Sequence, residues 1–324
     1  MDCILNSNTD PFFNLAAEEY LLKQTGQDIF MLWQSSPAVV VGKHQNTLAE
    51  INYGFLKDNQ IPAARRLSGG GTVFHGPGNL NFTFIRQGET GKLVDFECFI
   101  RPVLDFLNSM GINAYRGNKN EILVQDLKIS GNAEHVFKNR VLHHGTLLFN
   151  ADLNMLHEAI RPGKSRYRDK AVQSNRSRVM NVSELLPGLS LDDFRMTWIK
   201  HFLLNYKGNV CVFSPQEEKS IQELAISKYR TWEWVYGWSP DYEFSGEWRP
   251  GKIQVTIWLK VHRGMITDCR LISDDIPAHL LNNFTGLMKG LPHEENSLLE
   301  AVNKSDVLRD LKHVGPTDLV NAFF

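Results

Sequence analysis

Hydrophobic positions along this chain alternate between helical and strand spacing. Behind Asp10-Pro11, the apolar residues Phe12, Phe13, Leu15, Ala16, Tyr20, Leu21 and Leu22 fall at helical spacing, with an acidic cap and a proline in the first turn. This predicts a helix packed on a sheet. Two apolar runs, 30–33 and 38–41, are parted by Gln34-Ser35-Ser36-Pro37 and predict adjacent central strands joined as a hairpin. Leu80-Asn81-Phe82-Thr83-Phe84-Ile85 alternates as a half-buried strand does. A second helix is expected over 96–110, ended by Gly111. Strand-like stretches at 122–124 and 141–149 bracket Lys128, which places that lysine at a hairpin. Helices are expected at 153–160 and 192–204. The polar, basic stretch between them, 161–181, has no regular apolar period and predicts a mobile loop.

A dense aromatic run, Trp232 to Pro240, marks a shift in composition. Beyond it, 242–248, 252–261 and 265–273 alternate as three antiparallel strands parted by Pro250-Gly251 and Arg263-Gly264 turns. Helical spacing resumes over 277–288 and 297–311. The boundary is therefore drawn after residue 240, giving a large domain (1–240) and a small α+β domain (241–324).

Composition narrows the partners. The 324 residues, 42% hydrophobic, suffice for ordinary cores. Lysine and arginine total 35 against 36 for aspartate and glutamate, a net charge of -1 with no global footprint for nucleic acid or an anionic membrane. No stretch of about twenty apolar residues occurs, and the first residues lack the basic and apolar segments of a secretory signal. A cytoplasmic, monomeric protein is expected. Cysteines 3, 98, 211 and 269 are far apart, suggesting neither disulfides nor zinc but four small buried or partly buried thiols.

Local chemistry concentrates in two segments. The first is Arg65-Arg66-Leu67-Ser68-Gly69-Gly70-Gly71-Thr72-Val73-Phe74-His75, and the second is Asp126-Leu127-Lys128-Ile129-Ser130-Gly131-Asn132-Ala133. Successive glycines bring main chain close to a ligand and expose consecutive N–H groups, and arginines add planar forks for the same oxygens. The loop lacks the P-loop spacing and does not open a helix as a dinucleotide fingerprint does. A bare glycine triplet would read as a sharp connection. With Arg65, Arg66, Ser68 and His75 beside it, the loop reads instead as half of an adenylate-forming site, with Lys128 as the other half.

With those residues in hand, the chain resembles the bacterial-type lipoate-protein ligases over nearly its whole length. The resemblance rests on Phe13 to Glu19, Arg65 to His75, Asp126 to Ala133, His143-His144-Gly145-Thr146-Leu147-Leu148, Arg176-Ser177-Arg178-Val179-Met180-Asn181 and Trp232 to Pro240. It implies an α+β fold: a catalytic domain like those of biotin ligases and class II aminoacyl-tRNA synthetases, with a mixed sheet flanked by helices, followed by the small accessory domain. It implies ATP, Mg2+ and lipoate as reactants and lipoyl-AMP as intermediate. The acceptors it implies are apo lipoyl domains of 2-oxoacid dehydrogenase E2 subunits and the glycine cleavage H protein. An apolar tunnel would take lipoate or octanoate with a modest energy difference.

Carried over residue by residue, the resemblance makes Lys128 the catalytic group, touching both lipoyl carbonyl and α-phosphate. Arg66, Gly70, Gly71, Thr72, Val73, Phe74, Lys170 and Arg178 would hold the adenylate. Glu18, Arg66, Ser68, His75, Ser130, Gly131 and His144 would shape the lipoate side. His75 and His144 could equally be core or loop histidines. Many family members carry aspartate after the asparagine that stands here as Asn120; Glu121 keeps the carboxylate as a magnesium ligand.

Rival functions have weaker support. A transferase working through a cysteine thioester needs a placed thiol, and no cysteine lies between Cys98 and Cys211. A transferase taking preformed lipoyl-AMP would keep the pocket and lose adenylation. A biotin ligase would use similar chemistry with a different loop. A non-catalytic sensor on the same fold would have no need of Lys128.

Overall fold

The structure is a computed structural model and describes residues 1–89, 91–160, 166–174, 177–309, 311 and 314–324. The chain packs as two units. One comprises Met1–Lys43, Ala64–His157 and Ser174–Thr231, the other His44–Ala63, Glu158–Gln173 and Trp232–Phe324.

The strands of the first unit are β1 (Asp2–Asn6), β2 (Ile29–Trp33), β3 (Ala38–Val41), β4 (Ala63–Arg65), β5 (Val73–His75) and β6 (Asn79–Gln87). After them come β7 (Tyr115–Arg116), β8 (Ile122–Val124), β9 (Leu127–Phe137) and β10 (Arg140–Leu148). Past β11 (Tyr167–Asp169), a strand of the second unit, lies β12 (Val210–Cys211). Eight of these form a mixed sheet in the order β12-β1-β2-β6-β10-β9-β8-β7, and β4-β3-β5 form a separate small sheet.

Helix α1 (Pro11–Gln24) begins as its sequence requires: the Asp10 side chain accepts from Phe12 N–H at 3.0 Å and a proline opens the first turn. Short helices α2 (Thr47–Glu50) and α3 (Tyr53–Asp58) follow in the second unit, then α4 (Phe96–Ser109), α5 (Leu153–Ala159), α6 (Leu191–Tyr206) and α7 (Pro215–Leu224). Helices α4 and α6 cover one face of the large sheet, where Phe106 stacks on Trp198 at 4.9 Å and Phe30 on Phe202 at 4.2 Å. Helix α1 covers the other. Its end is tied to a π-helical turn, Ala225–Tyr229, because Glu19 accepts from Lys228 Nζ and Tyr229 Oη, both at 2.7 Å.

Four expectations need correction. The runs 30–33 and 38–41 form no hairpin: β2 lies between β1 and β6, while β3 lies between β4 and β5. Their connection is held elsewhere, with Gln34 C=O accepting from Asn14 Nδ2 and Ser36 N–H donating to Thr9 C=O. Strand β6 is buried on both faces from Asn79 to Ile85, since helices cover both sides, so its polar positions point into protein and not into water. The stretch 161–181 contains β11, which pairs with a strand of the second unit; residues 161–165 and 175–176 lie outside the described residues. Cys98 is exposed.

In the second unit β11 joins β13 (Tyr242–Trp248), β14 (Val255–His262) and β15 (Met265–Ile272) in one antiparallel sheet. The alternating burial of β13 and β14 follows their alternating sequence. Helices α8 (Ala278–Met288), α9 (Glu295–Lys304) and α10 (Pro316–Asn321) complete it. The Arg263-Gly264 turn joins β14 to β15 with both residues at positive φ, 47° and 75°. A Cβ on Gly264 would stand 2.4 Å from Trp232 Cη2 and 2.8 Å from Gly237 Cα. Gly264→Ala is therefore expected to cost about 2 kcal/mol through crowding and left-handed strain. Urea unfolding of both proteins measures it, and an unchanged midpoint would contradict the packing.

Candidate active site

The glycine loop runs from β4 to β5, and the Arg66 side chain organises it. Its Nε donates to Ser68 Oγ (2.9 Å), Nη1 to Val40 C=O (3.1 Å), and Nη2 to the carbonyls of Gly69 (2.6 Å) and Gly71 (2.7 Å). Gly70 between them has φ 87°, a conformation glycine adopts without penalty. Arg65 is fully buried and donates Nη1 to the carbonyls of Gly42 and Lys43. Burial lowers both guanidinium pKa values, to about 9 for Arg65 and about 10 for Arg66, so both remain charged at neutral pH. Thr72 N–H donates to Ser174 Oγ at 2.8 Å. Val73 and Phe74 lie in β5, at the edge of the small sheet and paired with β3.

Beneath the loop is β10, whose adjacent histidines point to opposite faces. His144 lies opposite Thr83 and Ala133, on the face covered by α1. Its Nε2 is 2.6 Å from Ser68 Oγ and its Nδ1 is 2.9 Å from both carboxylate oxygens of Glu18. Behind Glu18, Thr83 Oγ1 donates to the carboxylate at 2.6 Å and accepts from Trp33 Nε1 at 3.0 Å. His75 meets the same face through Thr146, with Nε2 and Oγ1 3.1 Å apart. Burial, then the charges of Arg66 and His144, push the His75 pKa down to about 3. His75 Nδ1 and both polar side-chain atoms of Asn81 are buried without a protein partner among the described residues. On the opposite face His143 Nδ1 lies 2.9 Å from Glu134, and its Nε2 lies 3.3 Å from Asn132 Oδ1.

Lys128 reaches the His144 face through a β-bulge. Its partner on β8 is Leu123, whereas Ser130 pairs with Ile122, so two residues apart on β9 correspond to one residue on β8. Leu123 and Ile122 point to opposite faces, and so do Lys128 and Ser130. The lysine side chain then folds over Gly131, where a Cβ would stand 3.0 Å from Nζ. Main-chain bonds fix this position: Lys128 N–H donates to Arg178 C=O (2.9 Å), and Met180 N–H donates to Lys128 C=O (3.2 Å). Burial lowers the lysine pKa, the Glu121 carboxylate opposes that shift, and Arg66 and Lys119 add to it. Glu121 itself accepts from Lys119 N–H at 2.7 Å.

The structure thus brings together Arg66, Ser68, His75, Lys128, Gly131, His144 and Glu18, with the loop from Gly70 to Phe74 above. It does not bring the Ser130 hydroxyl there. Ser130 shares the opposite face with Leu147, where its Oγ is buried with no protein partner among the described residues. Arg178 touches Lys128 through its carbonyl, Lys170 belongs to the second unit, and Arg176 lies outside the described residues. Sequence reasoning missed Trp33, Thr83, Asn81 and Thr146. The polar positions of β6 were the available signal, hidden by the assumption that they face water.

Two families match the chain: the lipoyl protein ligase A/B catalytic domain over residues 10–203, and the bacterial lipoate protein ligase C-terminus over residues 239–323. Fold and site therefore define an enzyme of the lipoyl ligase class. Among its relatives, lipoate-protein ligase 1 of Staphylococcus aureus is 34% identical over 95% of both chains. Lipoate-protein ligase LplJ of Bacillus subtilis is 34% identical over 91% of this chain and 92% of its own. A crystal structure of lipoate-protein ligase A bound with ATP superposes with TM-score 0.62 at 26% identity, covering 74% of this chain and all of that one. The chain belongs to the lipoate-protein ligase family.

His75 gives the site a pH signature. Its folded pKa of about 3 lies below its ordinary 6.5, so between those values the unfolded chain binds the extra proton. Stability should fall as pH drops through that window, by up to about 1.4 kcal/mol per pH unit. His75→Gln should flatten the dependence. Urea unfolding between about pH 7 and about pH 5 tests this, and equal slopes in both proteins would refute it.

Proposed function

We propose that the chain is an ATP-dependent lipoate-protein ligase that converts lipoate to lipoyl-AMP with release of pyrophosphate. It then passes the lipoyl group to a specific lysine of apo lipoyl domains, those of E2 subunits and the glycine cleavage H protein. The observation that carries this reading is the Lys128 ammonium, turned by a bulge onto the face that also holds His144, Ser68 and the Arg66-braced glycine loop. Family membership supports it, as does the solved relative bound with ATP. A 26% identical archaeal ligase is described as part of a lipoylation system with its E2 lipoyl domain.

A lipoate carboxylate is ionised at neutral pH and needs no general base. One of its oxygens attacks the α-phosphorus, the bond from that phosphorus to the bridging oxygen breaks, and pyrophosphate leaves. In the second half-reaction the acceptor lysine amine attacks the acyl carbonyl, the C–O bond to AMP breaks, and the amine proton passes to solvent. Lys128 offsets the negative charge that develops in each step. As an ammonium it has no lone pair and is not itself acylated. Arg66 and the backbone of Gly70 to Phe74, with Arg178, take the adenylate. Ser68, His75, Gly131 and His144 border the lipoate, and Ser130 contributes there through its main chain. Octanoate fits the same role. Residues 1–240 carry this chemistry, and 241–324 are accessory to it.

Magnesium fits one carboxylate here. Among the described residues no three His, Cys, Asp or Glu side chains converge on an ion. An ion shared with nucleotide phosphates needs only one or two carboxylates, and Glu121, close enough to act on Lys128, would supply one. When bound, the ion supplies charge neutralisation at the phosphates.

Incubating the protein with lipoate, Mg-ATP and an apo lipoyl domain should add a lipoyl mass to the domain and release pyrophosphate only with ATP. Absence of ATP-dependent release removes the ligase reading. Lys128→Ala should lower adenylation by roughly a hundredfold or more, with a stability change within about 1 kcal/mol; near-normal turnover would refute the lysine's role. The required ammonium is lost as pH rises through its lowered pKa, so the alkaline limb of the rate profile should lie below 10.5. Lys128→Arg should move that limb upward in whatever activity it retains.

A further inference from the structure

Ser68, His144 and Glu18 are the residue types of a hydrolytic triad at triad distances, yet their surroundings point to a different task. Ser68 is 1% exposed, and its Oγ already receives the Nε–H of Arg66. Glu18 is also buried and touches His144 and Thr83, with the histidine between it and the loop.

We infer that Glu18 is a positioning residue. Its carboxylate holds His144 as the Nδ1–H tautomer, so Nε2 takes the Ser68 hydroxyl proton and the Ser68 oxygen is left to receive Arg66 Nε–H.

With a neutral His144 ring, the chain of donors has one direction. An ionised carboxylate only accepts, so the 2.9 Å contacts from both its oxygens to Nδ1 require the proton on Nδ1. Nε2 of the neutral ring is then an acceptor, and the 2.6 Å contact is made by Ser68 O–H. Thr83 O–H also donates into the carboxylate, and Trp33 N–H donates into Thr83. Two donor chains therefore end on Glu18, and one of them begins at the Arg66 guanidinium. The next residue, Glu19, is clamped by Lys23, Lys228 and Tyr229, which fixes the α1 register that puts Glu18 behind His144. Glu18 thus acts on the lipoate and adenylate side through two intervening side chains, His144 and Ser68.

The inference rests on the ligase reading for its consequence but not for its geometry, so two measurements separate them. Nitrogen-15 NMR of the histidines in the full chain, with His144 assigned through a His144→Asn variant, should show protonation at Nδ1 and a bare Nε2 near neutral pH. The Nε2–H tautomer, or a ring protonated at both nitrogens, would overturn the relay whatever the enzyme does. In lipoate-dependent pyrophosphate release, Glu18→Gln and Ser68→Ala should each lower kcat/KM about tenfold, and the double variant should be no slower than the slower single one. Independent losses multiplying to about a hundredfold would overturn the relay, as would recovery of an acyl group on Ser68. If Glu18→Gln fails to fold, Thr83→Val serves instead, with an expected loss of about threefold that vanishes in the Ser68→Ala background. A wild-type protein silent with lipoate would count against the ligase reading, and the tautomer would still decide the relay.

Discussion

The active face depends on a cation placed under the glycine loop. Arg66 draws the carbonyls of Gly69 and Gly71 inward. In a trans peptide the carbonyl and the following N–H point in opposite directions, so the N–H groups of Gly70 and Thr72 turn away from the arginine. Thr72 shows the result, since its N–H meets the Ser174 hydroxyl. The glycines make the path sterically possible, and the guanidinium decides which way the peptides face. A buried guanidinium carries a large desolvation cost unless its donors are met. Here carbonyls and Ser68 meet them, and Glu18 offsets the charge at longer range. The residue that shapes the loop is therefore tied to the helix on the same face of the sheet.

That linkage explains why the central strands are buried on both sides. One face of β10 and β6 packs into aromatic core under α4 and α6, and His143 lies there against Phe99 at 5.1 Å and beside Glu134. The other face supports a polar layer in which Thr83, His144 and Thr146 contact Glu18, Ser68 and His75. Adjacent histidines serve opposite faces because strand side chains alternate. A charged layer inside protein is sustainable when its groups are paired, and most of these are. Among the described residues Asn79 Oδ1, both polar atoms of the Asn81 side chain and His75 Nδ1 lack a protein partner, and Asn81 and His75 stand together around Thr146. A buried group without a partner is costly, and a polar ligand atom would relieve that cost.

Much of this was legible in the chain. The capped α1, the glycine loop between strands, the Lys128 hairpin and the three C-terminal strands β13 to β15 all follow from spacing and turn residues, since each is set by local chemistry, whereas β11, the fourth strand of that sheet, was not foreseen. Strand neighbours were not legible. Nothing local in Phe30–Trp33 or Ala38–Val41 says that one joins the large sheet and the other the small one; distant segments fix that. Asn81 and Thr83 look like solvent positions until α1 is known to cover them. Glu18, Ser68 and His144 could be named individually, but their order could not, because it depends on register across β6, β10 and β9.

The placement of Lys128 shows most sharply where sequence reading stops. With regular alternation along β9, Lys128 and Ser130 would share a face, and Lys128 would point toward the aromatic core with Asn132 and Glu134. One extra residue in the ladder reverses this. Gln125 and Asp126, both at positive φ, make the tight turn, and Ile129 is taken up in the core while Lys128 is turned out over Gly131. Bulges of this kind kink a strand and re-aim one side chain while leaving the rest of the strand in place. Here that frees the first residues of β9 to present an amine while its remainder keeps Ala133 under the loop and Glu134 in the core. The glycine at 131 leaves room for the ammonium that the bulge turns over it, since a Cβ there would stand 3.0 Å from Nζ and push the end of the lysine aside.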